Sequence, residues 1–111
     1  MLRDPRLLLE DILESCEKIQ RYTMGVTFDD FQSSDMVFDA VARNLEIIGE
    51  AVKLLPVELR ATHGEIDWRK IAGLRDVVIH QYFGIDEALI WDVVRNWIPR
   101  LQKVVAGIVK P

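Results

Sequence analysis

Five apolar residues, Val41, Leu45, Ile48, Val52 and Leu55, recur at spacings of 4, 3, 4 and 3 along one stretch of this chain. That rhythm is the seam of an α-helix with one face buried against other helices, and strands cannot use it because their side chains alternate with period two. The same rhythm recurs in Leu8, Ile12, Cys16 and Ile19, in Ile71, Leu74 and Val78, and in Leu89, Val93, Trp97 and Leu101. No strand alternation, internal repeat or linker competes with it. Only 6 Gly and 4 Pro leave too few turn formers for an all-β sandwich. The expectation is an all-α chain: a bundle of about four main helices with short connections. Its 111 residues suit a single domain, 1–111.

Punctuation residues divide the helices. Asp4 is a good N-cap and Pro5 suits the first helical position of a helix running to about Tyr22, with Gly25 beyond it. Thr27-Phe28-Asp29-Asp30 resembles a short capped turn. The next helix is expected from about Asp35 to Leu55, capped by Ser33, Ser34 or Asp35 and stopped by Pro56. A charged line, Asp39, Arg43, Glu46, Glu50 and Lys53, runs beside its seam. Pro56–Thr62 can add a turn, and His63-Gly64 reads as a stop. Asp67 caps a helix from Trp68 to the region of Tyr82–Gly84, and Asp86 caps the last one, from about Glu87 to Val109, kinked at Pro99. That last helix carries Ile90, Trp91, Val94 and Ile98 beyond its seam. Two readings stand: a second face covered by another subunit, or one thick core stripe.

Composition removes several function classes. With 50% hydrophobic and 29% charged residues the chain is not a disordered tail. A net charge of −4 and a pI near 5.1 argue against a broad nucleic-acid-coating surface, while leaving room for a small anion site. Cys16 is the only cysteine, so neither an intramolecular disulfide nor a thiolate cluster is available, which fits the cytoplasm. No signal peptide and no apolar run of membrane-spanning length is read. His63 and His80 are the only histidines, and no zinc signature, Gly-rich phosphate loop or Gly-x-Ser-x-Gly elbow occurs. Neither a metal nor a cofactor is expected.

One segment gathers chemistry: Arg75-Asp76-Val77-Val78-Ile79-His80-Gln81-Tyr82-Phe83. On a helix, Asp76 and His80 are i, i+4 neighbours pointing away from the Ile71/Leu74/Val78 stripe, so Asp76 can orient the imidazole and support its protonated form. Arg75 and Tyr82 share a second line, roughly 10 Å apart along the axis. The plainer reading is that Arg75 and His80 complement the helix dipole. His63, in a Thr-His-Gly stop, reads as a loop residue. Arg75 and His80 diverge by about 140° on a regular helix. They meet at one phosphate if the helix end loosens, or if a two-fold axis joins two copies.

Arg75-x4-His80 followed by Gln81-Tyr82-Phe83 resembles the R-x4-6-H motif of HEPN domains, and more narrowly the HepT-like toxins. Arg43-Asn44-Leu45-Glu46-Ile47-Ile48-Gly49-Glu50-Ala51 and Trp68-Arg69-Lys70-Ile71-Ala72-Gly73-Leu74-Arg75-Asp76 match the same pattern, and the likeness runs from about Leu7 to Leu101. The resemblance implies a helical bundle that dimerises with two motifs facing one cleft. It implies a metal-independent ribonuclease acting on RNA, with Arg75 and His80 in the site. It also implies a minimal nucleotidyltransferase antitoxin as partner, able to transfer AMP to Tyr82.

These side chains suit that chemistry. Metal-free cleavage needs a base for the 2′-hydroxyl, an acid for the leaving 5′-oxygen and positive charge on the phosphate. His80 can serve as base or acid near neutral pH, and Arg75 can clamp phosphate oxygens bidentately. The Arg43, Glu46 and Glu50 line reads first as a surface ion-pair line and second as a buttress. The rival function is a non-catalytic helical module that docks a nucleotidyltransferase or a nucleotide and uses Arg75 only to recognise phosphate.

Overall fold

The computed structural model describes residues 4–82 and 87–110, with the backbone alone at 80–82. Helix α1 (Pro5–Thr23) starts as its sequence dictates: Asp4 Oδ1 accepts the Arg6 amide at 2.9 Å and Pro5 fills the first turn. Its stripe of Leu8, Ile12, Cys16 and Ile19 is at most 2% exposed. The capped turn becomes a short helix, α2 (Phe28–Ser33). Thr27 Oγ1 accepts the Asp30 amide and Asp30 Oδ2 accepts the Thr27 amide, a reciprocal capping box.

Helix α3 (Asp35–Lys53) is capped by Ser34, whose Oγ accepts the Val37 amide at 3.2 Å. Val41, Leu45, Ile48 and Val52 are fully buried, and Leu55 just past the helix is buried with them. After Pro56 comes α4 (Val57–Thr62), closed by the His63 amide donating to the Arg60 carbonyl. His63 is a loop residue, as expected. Its carbonyl accepts the Trp68 indole N–H at 2.8 Å, pinning the loop.

The helix expected to run unbroken from Trp68 is two: α5 (Trp68–Ala72) and α6 (Leu74–Tyr82). Asp67 caps α5 through the Lys70 amide. At Gly73 the amide is shared between the Arg69 and Lys70 carbonyls, a tightened final turn. Gly73 stays close to helical, at φ −82° and ψ 3°, so Ile71, Leu74 and Val78 keep phase and remain buried. Gly49 of α3 lets this turn lie close. A Cβ there would stand 3.3 Å from the Ala72 carbonyl oxygen and 3.4 Å from that of Ile71. Backbone meets backbone, which a residue without a side chain permits.

The last helical region comprises α7 (Glu87–Asp92), a π-helical turn (Val93–Trp97) and α8 (Ile98–Val109). The expected cap, Asp86, lies outside the described residues. The Ile98 amide donates to the Val93 carbonyl, five residues back. This wide turn accommodates Pro99, which lacks an amide hydrogen, so the irregularity falls where the proline predicts one. The seam is corrected. Ile90, Val93, Val94, Ile98, Leu101 and Val105 are at most 3% exposed, whereas Leu89 is 37% exposed. Ile90, Val94, Ile98, Leu101 and Val105 follow one another at spacings of 4, 4, 3 and 4, so Ile90, Val94 and Ile98 enter the chain's own core. The apolar surplus is one thick stripe and gives no argument for a second subunit. Trp91 packs on Phe31, ring centroids 5.0 Å apart.

In the assembled bundle α3 packs on α1, α5 and α6, α1 also packs on α8, and α2 bridges α3 and α7. No strand occurs among the described residues, and none of their helices is long and apolar enough to cross a membrane.

Candidate active site around Arg75

Arg75 lies in the first turn of α6, directly after the Gly73 break, with its side chain 54% exposed. Its Nη1 donates to Glu50 Oε1 on α3 at 3.4 Å. Lys53 Nζ approaches the same carboxylate oxygen at 3.6 Å. At its Glu50–Lys53 end the charged line of α3 forms ion pairs and reaches the candidate site. Sequence reasoning placed Glu50 on that line but could not pair it with Arg75, because the contact joins two helices 25 positions apart.

Arg75 borders an open groove of about 300 Å³. Leu8, Ala51 and Leu54 supply apolar lining, while Asp11 of α1 and Arg43, Glu46 and Glu50 of α3 supply charge. The participation of α1 has no signature in the motif; only the packing of α1 on α3 brings Leu8 and Asp11 there.

Asp76 is exposed in the first turn of α6, and Ile79 is 40% exposed one turn beyond Arg75. The α6 backbone is continuous through His80 to Tyr82. The side chains of His80 and Tyr82 lie outside those described. The backbone between residues 75 and 80 is regular helix, so the loosened turn that the sequence left open is not found between them. The structure thus joins Arg75 to Glu50 and sets Asp76 beside it on the exposed face.

Cys16 is ruled out as a nucleophile. It is fully buried, and burial, aided by Glu17, pushes its thiol up to about 12. No group of three or more His, Cys, Asp or Glu side chains among the described residues is arranged to hold a metal ion. A second hollow, about 200 Å³, is lined by Asp67, Lys70, Trp97 and Arg100 among others, and shares no residue with the Arg75 groove.

Comparison of the sequence with known proteins places the chain in a family. A family model described as "Ribonuclease HepT-like" matches residues 12–108. A protein of Caldanaerobacter subterraneus subsp. tengcongensis with a provisional RNase name is 43% identical over 109 residues, covering 98% of this chain and 97% of that protein. "Probable ribonuclease HepT" of Thermococcus cleftensis is 43% identical over 102 residues, 92% of this chain and 93% of that one. A Methanocaldococcus jannaschii protein, named both as a gamma-glutamylcyclotransferase and provisionally as an RNase, is 44% identical over 110 residues; the match covers 99% of this chain but 50% of that relative. No solved structure gives a significant match. A match across this much of the sequence shows that the chain belongs to the HepT-like ribonuclease family.

Proposed function

We propose that this chain is the toxin subunit of a prokaryotic toxin–antitoxin pair: a metal-independent endoribonuclease, active as a cytoplasmic homodimer and restrained by a minimal nucleotidyltransferase antitoxin. The observation that carries this reading is the family match over residues 12–108. An exposed Arg75 beside an open groove supports it. The chain acts as one domain over 1–111, and RNA is the substrate.

Arg75 binds the non-bridging oxygens of the scissile phosphate. His80 takes the proton of the 2′-hydroxyl, whose oxygen attacks phosphorus. The bond to the 5′-oxygen breaks, and a protonated imidazole returns a proton to that oxygen. The products are a 2′,3′-cyclic phosphate and a 5′-hydroxyl. Asp76 supports the protonated imidazole of His80 from one turn away. The unbroken α6 favours a composite site, in which a two-fold axis gathers Arg75 and His80 from two copies. The exposed Ile79 beside Arg75 gives such an axis an apolar contact. Tyr82 is the acceptor of AMP, and an adenylate there adds negative charge and bulk that compete with RNA for Arg75.

The rival, a binding module without catalysis, draws support from Asp11, Glu46 and Glu50 around Arg75, which repel RNA. The deciding experiment is cleavage of single-stranded RNA in EDTA by wild type, Arg75→Ala and His80→Ala, each checked for folding by circular dichroism. The ribonuclease reading expects cleavage by wild type and loss in both variants. Wild-type activity in folded His80→Ala refutes the assigned role, and RNA binding without cleavage by wild type favours the rival.

A further inference from the structure

We infer that Glu50 is the positioning residue for Arg75: its carboxylate holds one guanidinium nitrogen so that the remaining edge stays turned to the scissile phosphate. The inference rests on the reading of Arg75 as the phosphate-binding residue and assigns a function to a side chain on another helix. The contact is Nη1 to Oε1 at 3.4 Å. A guanidinium carries five N–H donors on three nitrogens, so holding Nη1 leaves the Nη2 and Nε edge for a bidentate phosphate. An exposed arginine otherwise samples many rotamers, and few present that edge in the correct plane.

The backbone fixes this arrangement. Gly49, the residue before Glu50, sits where α3 touches the turn into α6, and the Arg75 amide nitrogen is 3.5 Å from the position of a Gly49 Cβ. Glu50 and Arg75 thus leave their helices beside the same backbone contact, which sets their separation. Lys53 Nζ lies 3.6 Å from the same Glu50 oxygen, so Glu50 is shared between two cations and only part of its charge offsets that of Arg75, while Asp11 and Glu46 keep the groove lining acidic.

The test is steady-state cleavage of a short single-stranded RNA in EDTA by wild type, Glu50→Ala, Glu50→Gln, Arg75→Ala and Glu14→Ala. Glu14→Ala removes an exposed carboxylate of α1 that is paired only with Lys18 among the contacts observed. Glu50→Ala should lower kcat by about 10-fold with KM unchanged or lower, because orientation is lost while an anion near the substrate is removed. Glu50→Gln keeps an oxygen that can accept from Nη1, so it should recover most of that loss. Glu14→Ala should leave kcat and KM near wild type. Wild-type kcat in Glu50→Ala overturns the inference, as does a rise in KM with kcat unchanged. Equal losses in the Ala and Gln variants, accompanied by a lower Tm, also overturn it by showing a structural role. Arg75→Ala separates the two layers: wild-type activity there sinks the reading of Arg75 and this inference with it. A crippled Arg75→Ala beside a normal Glu50→Ala sinks the positioning role alone.

Discussion

Replacing Gly49 and Gly107 by alanine should change stability in opposite directions, although both sit in helices. At Gly107, in α8, nothing lies within 4 Å of an added Cβ. Alanine there gains backbone order, up to about 1 kcal/mol in favour of the folded state. At Gly49 the new carbon would meet the carbonyl oxygens of Ala72 and Ile71 at 3.3 and 3.4 Å and the Arg75 amide nitrogen at 3.5 Å. All three are backbone atoms, so α3 and the α5–α6 turn must move apart by a few tenths of an ångström. Overpacking of that kind costs about 1–3 kcal/mol, which exceeds the roughly 1 kcal/mol helix-propensity gain. The net expectation is a loss near 1 kcal/mol for Gly49→Ala. The two variants should then differ by about 2 kcal/mol, or roughly 8 °C in Tm for a chain of this size. The assay is thermal unfolding by circular dichroism at one fixed protein concentration, because association shifts Tm. Equal stabilisation by both substitutions would refute the close backbone approach of α3 to the turn that carries Arg75.

Three further outcomes are expected. Cys16 should resist alkylation in the native protein at pH 8 and react in urea, since burial holds its thiol at about 12 against an ordinary 9.0. The unfolded chain releases that proton first, so the contribution is complete below 9.0 and lost as pH rises towards 12, at most about 4 kcal/mol; an identical alkaline profile for Cys16→Ala contradicts this. Light scattering coupled to gel filtration should report about twice the 12.8 kDa chain mass at micromolar concentration, and a monomer that still cleaves RNA removes the composite site. Tyr82→Phe should keep cleavage activity yet escape ATP-dependent inhibition by the nucleotidyltransferase, as intact mass and cleavage assays would show; AMP mapped to another residue counts against the switch.

The fold was legible where local chemistry decides it. Asp4, Thr27, Ser34 and Asp67 each cap a helix, and three seams fall in the core with the residues their spacing predicts. The division at Gly73 was not legible, because Ile71, Leu74 and Val78 keep helical phase across it. The turn there packs closely against Gly49 of α3, a tertiary contact that no local propensity reports. The last seam was misread at its start: counting by threes and fours from Leu89 selects Trp97, whereas the same count from Ile90 gives the buried Val94, Ile98, Leu101 and Val105, and apolar residues at both 89 and 90 leave the choice to tertiary packing. For the site, the motif located Arg75 and Asp76 on an exposed helical face. The Glu50 contact and the α1 wall of the groove depend on how helices pack, which spacing along one helix does not encode.

End-group analysis of RNA cleaved in EDTA bears most directly on the assigned chemistry. An attack by the 2′-hydroxyl, managed by Arg75 and His80, leaves a 2′,3′-cyclic phosphate and a 5′-hydroxyl, and a substrate with a single 2′-deoxy position at the cut resists cleavage there. Products bearing a 5′-phosphate, undiminished cleavage at the 2′-deoxy position, or activity that arises only when a divalent metal is added would contradict the mechanism.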